Sequence, residues 1–339
     1  MISVIIPTYN RLSQLQCSLS ALTHSKNKDI EVIVADDGST DGTKEWMKEQ
    51  DIINAAYFHC GPNKGFRAGR ARNFAAANAN GSLLVFIDSD VILTPDALVH
   101  FAEAHEKHPK AVILGLYHWL PPMQFDYKTV LDPVRFWDIV LMNFPKLPYE
   151  GSPGLQGKDL RYHNFSDDIG VLVDNAALGC FSGNIGYPKT VFDAVGGFDE
   201  AINRHGGEDA DLGLTVQEAG YRFLLYKSIV GYHIWHWRNQ EQNAIDVQYN
   251  IGYIDRKHGV GTYAKAQEWD DLPEPEASSY YRKDEKDNKL VCDPGGTYWV
   301  IRGKYRKGIS TPDMLTSLGW AFPDADPISV DWLKRYEPV

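Results

Sequence analysis

Leu83-Leu84-Val85-Phe86-Ile87-Asp88-Ser89-Asp90 is the stretch on which the fold turns. The five apolar residues in a row read as a short strand. The run stops at two aspartates one residue apart. Side chains two apart on a strand share a face, so a strand ending in Asp-x-Asp can bring two carboxylates to one point. Such a pair suits Mg2+ or Mn2+ when phosphate oxygens complete the shell. On its own it is equally a solvated strand end or a helix cap.

The flanking segments weigh toward a ligand site. Ile2-Ser3-Val4-Ile5-Ile6 is a β-branched run, broken by Pro7-Thr8-Tyr9-Asn10-Arg11 ahead of Leu12, Leu15, Leu19 and Leu22 at helical spacing. Ile30 to Ala35 repeats the pattern and ends in Asp36-Asp37-Gly38-Ser39-Thr40-Asp41-Gly42, before a helical stretch from Thr43 to Gln50. Two strand-loop-helix units predict a parallel sheet wound by right-handed crossovers, which binds ligands beyond the carboxyl ends of its strands. Thr8, Asp36, Asp37, Asp88 and Asp90 would all lie on that edge. Ala55 to His59 reads as a third strand. A helix from Gly69 to Asn80 follows, with Arg70 and Arg72 in its first turns, where arginines and free backbone N–H groups attract phosphate. Thr94-Pro95-Asp96 opens a helix to about His108, and Ala111 to Leu116 and Arg222 to Tyr226 read as strands. Between His118 and Asn175 prolines break the alternation, leaving one helical stretch near Val130 to Met142.

Composition sets outer bounds. The chain has 339 residues, enough for one large domain and an appendage. Its net charge of −11 argues against general attraction to nucleic acid or anionic membrane. No run approaches the length of a transmembrane helix, and a first strand at Ile2 leaves no room for a signal peptide, so a cytoplasmic protein is expected. Cys17, Cys60, Cys180 and Cys292 lack metal-ligand spacing and are expected as free thiols.

Four blocks now stand in order: Val4-Ile5-Ile6-Pro7-Thr8-Tyr9-Asn10-Arg11; Val32-Ile33-Val34-Ala35-Asp36-Asp37-Gly38-Ser39; Asn63-Lys64-Gly65 with Ala71-Arg72-Asn73; and Phe86-Ile87-Asp88-Ser89-Asp90. In that order they resemble a family 2 glycosyltransferase, an inverting, nucleotide-sugar-dependent enzyme with the A-type glycosyltransferase fold. A fifth block, Gly196-Gly197-Phe198-Asp199-Glu200 followed by Gly206-Gly207-Glu208-Asp209-Ala210-Asp211-Leu212, resembles the acceptor-side segment of galactosyl- and N-acetylgalactosaminyltransferases. The resemblance covers about residues 1 to 240.

It implies an α/β chain with a Rossmann-like, mostly parallel sheet flanked by helices and a small C-terminal appendage. Residues 1–268 would be the catalytic domain, with 1–116 binding the nucleotide sugar and 117–268 shaping the acceptor side. Pro7, Thr8, Tyr9, Arg11, Asp36, Asp37, Arg72, Asp88 and Ser89 are expected to hold a UDP-sugar donor. Asp88 and Asp90, with His233 or His236, are expected to hold Mn2+ or Mg2+. Asp209 is the expected general base, with Glu208 beside it. Phe181-Ser182-Gly183-Asn184-Ile185 matches the segment that closes over the donor sugar. Trp119, Phe125, Tyr127, Trp137, Phe144 and Tyr149 are candidates to stack on sugar rings, although most aromatics are core.

Two departures leave the sugar open among galactose, N-acetylgalactosamine, glucose and N-acetylglucosamine. Asn203-Arg204-His205 stands where an aromatic usually precedes Gly-Gly-Glu-Asp, and Thr215 replaces a frequent Arg. The acceptor hydroxyl is equally open, on a glycan, glycolipid, protein or modified nucleic acid. Trp269 to Glu276 reads as an acidic, proline-bearing linker. Residues 278–339, with Tyr298-Trp299-Val300-Ile301 and Asp331-Trp332-Leu333, read as a small module for acceptor recognition or homo-oligomerisation. A nucleotidyltransferase acting on a sugar phosphate is the alternative, but no Gly-rich phosphate loop follows the first strand. A non-catalytic carbohydrate-binding protein would be expected to lack the acids, and all are present.

Overall fold

The computed structural model describes residues 1–62, 65–120, 126–133, 136, 170–171, 179–234, 236 and 240–259, with five short strands nearer the C-terminus. β1 (Ile2–Thr8), β2 (Ile30–Asp36), β3 (Ala55–His59) and β4 (Leu83–Ile87) are parallel, in the order β3-β2-β1-β4. The helices α1 (Leu12–Leu22), α2 (Thr43–Glu49) and α3 (Ala68–Ala77) form the crossovers between them. The strand order reverses at β1, so a crevice opens at the carboxyl ends of β1 and β4.

Beyond β4 the sheet is mixed. β8 (Asn184–Pro188) pairs antiparallel with β4 and with β6 (Val112–Trp119), while β9 (Phe223–His233) runs parallel to β6. β5 (Val91–Leu93) and β7 (Gly170–Val171) each pair antiparallel with β9.

Period-two alternation divides the core between the two faces. Ile5, Leu84 and Phe86 join the side covered by α3, α6 (Lys189–Val195) and α7 (Glu208–Glu218). Val4, Ile6, Leu83, Val85 and Ile87 join the opposite side, with Leu15, Leu19 and Leu22 of α1 and Phe101 of α4 (Ala97–Lys107). The Phe86 ring lies 5.3–5.9 Å from those of Tyr187, Phe192 and Phe198. Truncating such a ring to Ala typically costs about 3–5 kcal/mol.

Two elements differ from the sequence expectation. β9 does not stop near Tyr226: Gly115 pairs with Tyr226 but Leu116 pairs with Val230, so three extra residues of β9 bulge out before the strand runs on to His233. The buried Asn184 side chain pins this bulge, donating to the Leu116 carbonyl at 2.8 Å. Gly115 is required there, because a Cβ would collide with Asn184. The second element is α8 (Gln240–His258), where no helix was expected. Its apolar signal is thin, since Ile245 and Tyr249 are exposed and a polar Asn250 occupies a buried position beside Ile254. The short helix α5 (Tyr127–Leu131) lies in the proline-broken region.

The chain falls into two compact units, one of Met1–Tyr149 with Gly154–Glu268, the other of Glu150–Pro153 with Trp269–Val339. The second contains a five-stranded sheet ordered β13 (Asp326–Pro327), β10 (Lys289–Cys292), β11 (Tyr298–Arg302), β12 (Tyr305–Ile309), β14 (Glu337–Pro338). Tyr298 to Ile301 fall in β11, whereas Asp331-Trp332-Leu333 and the Trp269 to Glu276 stretch lie outside the described residues. Cys17 and Cys180 are buried and Cys60 partly buried, none of the three in a disulfide; the side chain of Cys292 lies outside the described residues.

Candidate active site

The edge formed by β1, β2 and β4 is built from turns that tie their own polar groups. Asp36, fully buried, accepts Gly38 N–H at 3.1 Å and Ser39 N–H at 2.8 Å on one oxygen, and the Tyr57 hydroxyl at 2.5 Å on the other. Its carboxylate thus shapes the β2 turn from within. Thr8 at the end of β1 gives its carbonyl to Asp37 N–H at 2.9 Å, while its buried hydroxyl makes no hydrogen bond among the described residues. Asn10 has φ of 50°, and its backbone N–H and side-chain oxygen bond Ser39 Oγ and Thr40 N–H at 2.9 and 2.8 Å. This tie between the two loops leaves Tyr9 exposed and Arg11 half-buried beside it, next to the buried Pro7. Asp37 pairs with Arg67 at 2.6 Å; burial pushes its pKa up against the pull of Arg67.

Asp88-Ser89-Asp90 is a turn between β4 and β5 rather than a strand end, closed by Val91 N–H on the Asp88 carbonyl at 3.0 Å. The two carboxylates therefore diverge. Asp88 accepts from Arg72 Nη2 at 2.7 Å, Ser89 is buried, and Asp90 turns toward β9. Asp90 Oδ1 lies 3.4 Å from His233 Nε2 and Asp90 Oδ2 lies 2.9 Å from His236 Nε2. One ligand atom from each of Asp90, His233 and His236 falls within 4.8 Å of the others, so a single ion could be shared.

Backbone bonds hold this triad. Ile234 N–H donates to the Asp90 carbonyl at 2.7 Å and Leu120 N–H to the His233 carbonyl at 2.9 Å. Trp119 lies against His233 with ring centroids 4.0 Å apart and planes tilted by 38°. Two imidazoles with one carboxylate suit Mn2+ and its neighbours better than the all-oxygen preference of Mg2+.

Arg72 is buried and clamped, with Nη2 on Asp88 and Nη1 on Glu208 at 3.2 Å, its guanidinium 5.3 Å from the Phe198 ring centroid. Burial pulls its pKa down, but the two carboxylates outweigh this and raise it. Glu208 Oε2 is buried, with no hydrogen bond among the described residues. Asp209 follows, partly exposed, with Oδ1 on Ala210 N–H at 2.9 Å and Oδ2 3.4 Å from Ser182 N–H. Burial first, and the charge of Glu208 second, push its pKa up to about 7 against the pull of Arg72. A carboxylate with that pKa can accept a proton near neutral pH.

Asp211, the third acid of this helix start, is spoken for. Lys257 Nζ lies 2.8 Å and His258 Nε2 2.9 Å from its two oxygens, and Lys257 also meets Asp199 at 2.9 Å. Both partners come from α8, as does Asn250, whose amide donates to the Arg204, His205 and Gly206 carbonyls. Gly207, with φ of 93°, packs where a Cβ would meet Ile254 at 3.0 Å. These α8 residues set the turn leading to Glu208 and Asp209, and the sequence reading missed them. Asn250 four residues before Ile254, a helical spacing, is a signal that could have found them.

Of the aromatic candidates, Trp119 packs on His233 and Tyr127 lies edge-on to Trp46 at 6.4 Å. Phe125, Trp137, Phe144 and Tyr149 lie outside the described residues, as do Asn63 and Lys64.

A family profile described as glycosyl transferase family 2 matches residues 3–172, half of the chain. The chain belongs to glycosyltransferase family 2. A second profile, described as an N-terminal domain of galactosyltransferase, matches residues 163–236. This family 2 transferase is 32% identical to an uncharacterized glycosyltransferase, YfnE of Bacillus subtilis, over 76% of its own length and 70% of that protein. It is 30% identical to validoxylamine A glucosyltransferase of Streptomyces hygroscopicus over 76% of its length, which spans 61% of that protein. Among solved structures it superposes on residues 1–349 of S. aureus TarS in complex with UDP-GlcNAc with a TM-score of 0.53 at 20% identity, covering 75% of this chain and 65% of that one. It also superposes on GalNAc-T7 with UDP, GalNAc and Mn2+ with a TM-score of 0.51 at 14% identity, covering 70% and 44%. At these identities the likeness is one of fold, the A-type glycosyltransferase fold. Among the described residues no helix is long and apolar enough to cross a membrane.

Proposed function

We propose that this family 2 transferase moves a hexose or N-acetylhexosamine from a UDP-sugar to an acceptor hydroxyl with inversion, using a divalent cation. One observation carries this: Asp90, His233 and His236 converge on one point, and Asp88 of the same turn is joined through Arg72 to Glu208, the neighbour of Asp209, whose pKa is raised to about 7. Asp90, His233 and His236 hold the ion, and Asp88, on the same turn, faces the donor side with Arg72. A divalent ion bound there would stabilise charge on the departing diphosphate. The presence of UDP and Mn2+ in the GalNAc-T7 structure, and of UDP-GlcNAc in that of TarS, supports the donor class.

The residues of the chain divide the remaining work. Asp209 takes the proton from the acceptor oxygen as that oxygen attacks the anomeric carbon from the face opposite the diphosphate. Glu208 keeps Asp209 basic by like charge, and Arg72 keeps the two acids from repelling one another out of place. The buried Thr8 hydroxyl and the loop of Tyr9 and Arg11 hold the nucleotide, with Asp37; Asp36 and Pro7 shape the loop. We place residues 1–268 as the catalytic domain and the C-terminal sheet as an accessory module.

The test is release of UDP from a panel of UDP-sugars, with and without Mn2+, and the anomeric configuration of the product by NMR. No UDP release from any donor, or a retained configuration, would sink this proposal.

A further inference from the structure

Arg11 stands between the nucleotide loop and the metal triad. Its Nη1 donates to the Asn10 carbonyl at 3.2 Å, and its Nη2 lies 3.2 Å from His236 Nδ1. A guanidinium has only donors and does not lose its charge in proteins. His236 Nδ1 therefore meets it with a lone pair. In a neutral imidazole one nitrogen donates and the other accepts, so the ring hydrogen sits on Nε2, pointing at Asp90 Oδ2 2.9 Å away. Nε2 is the nitrogen on the triad side, and an ion there needs its lone pair.

The two demands conflict. With Nε2 on an ion, the neutral ring carries its hydrogen on Nδ1, which would then face Arg11 Nη2 donor to donor. One side must give way, and the long, half-buried Arg11 side chain is the movable one, whereas His236 would be held by the ion. A guanidinium released beside a diphosphate finds charge-assisted partners in the phosphate oxygens.

We propose that Arg11 makes ion binding and nucleotide binding cooperative: in the unliganded site it holds His236 in the tautomer that rejects an ion at Nε2, and the diphosphate draws it away. Arg11 is thus a positioning residue for a metal ligand as well as a contact for the donor. This rests on the site being a divalent-ion and UDP-sugar site. By linkage each ligand tightens the other by the same factor.

The test uses the full chain and three measurements. Mn2+ affinity is read by electron paramagnetic resonance of the free ion, with and without UDP, for wild type, Arg11→Met and Arg11→Gln. Thermal unfolding checks that the variants fold. Methionine removes the donor at similar length, and the glutamine amide oxygen can accept the Nδ1 hydrogen, as outer-shell partners of metal-bound histidines do. Without UDP both variants should bind Mn2+ more tightly than wild type, with Arg11→Gln tighter by on the order of tenfold, the lower end of the effects outer-shell partners have on metal affinity. UDP should tighten Mn2+ binding more in wild type than in either variant.

The third measurement does not depend on a variant folding. Nitrogen-15 imidazole spectra of the wild type should show His236 with its hydrogen on Nε2 without metal, and on Nδ1 after addition of Zn2+ as a diamagnetic probe. A wild-type ring with its hydrogen on Nδ1 before metal is added, or variants that bind Mn2+ no better than wild type, overturns the role of Arg11 and leaves the site's function standing. A wild type that binds neither Mn2+ nor UDP overturns both.

Discussion

The side-chain amide of Asn250 donates to the backbone carbonyl of Gly206 at 2.5 Å, tying the middle of α8 to the turn that carries Glu208 and Asp209. The same amide reaches the Arg204 and His205 carbonyls, so one buried side chain orders three consecutive peptide groups. The turn before the proposed base is thus tied to a helix that comes later in the chain.

Asn250→Ala should therefore lower kcat while leaving UDP affinity within about twofold, because the donor side of the edge is built from β1, β2 and β4. The lost hydrogen bonds should also cost about 1–3 kcal/mol of stability. Steady-state kinetics, UDP calorimetry and denaturant melts check this; a loss of UDP affinity as large as the loss of kcat would refute it.

For Asp209 the expected signature lies in pH. Its pKa of about 7 in the folded state stands above the ordinary value of 3.8. The ionised form accepts the proton, so kcat/KM should fall as pH drops below about 7. Asp209→Asn should lower kcat by about 10²–10⁴-fold with UDP binding nearly intact.

Stability should move the other way. Between 3.8 and about 7 the folded chain holds a proton that the unfolded chain has lost, so this group makes the protein less stable as pH rises through that window. Asp209→Asn should melt higher than wild type at pH 8, and the gap should close toward pH 4. Equal melting temperatures at pH 8 would mean that Asp209 carries no raised pKa.

The divergence of Asp88 and Asp90 predicts separate roles. Asp90→Ala should weaken Mn2+ binding by at least about tenfold more than Asp88→Asn does, because Asp90 faces two imidazoles while Asp88 faces Arg72. Asp88→Asn should instead weaken the donor. Titrations of Mn2+ followed by UDP on both variants decide it, and equal losses of Mn2+ would return Asp88 to the ion.

Truncation after Glu268 should leave a folded protein that still cleaves its donor, because every residue assigned to ion, nucleotide or base precedes Arg238 and the first compact unit closes at Glu268. Transfer to the natural acceptor should fall. Insolubility, or loss of cooperative unfolding, would show that the second unit completes the first.

The sequence alone determined the first half of the fold and the identity of the working edge. Unbroken apolar runs such as Leu83 to Ile87 have one stable home, a strand covered on both faces, and the turn residues after Thr8, Asp36 and Ile87 put the polar groups at one end. These are local matters of burial and turn chemistry, and they survive in a string of letters. Tertiary structure alone decided which partners each acid meets. Asp88 and Asp90 part because they sit on a turn, and His233 and His236 meet Asp90 because a bulge carries β9 past Gly115. Asp209 and Asp211 differ because α8 delivers Lys257 and His258 to one of them, leaving the other beside Glu208 with its pKa raised. The same carboxylate meets different surroundings according to neighbours distant in the chain, and that proximity depends on register, bulges and helix docking rather than on local propensity.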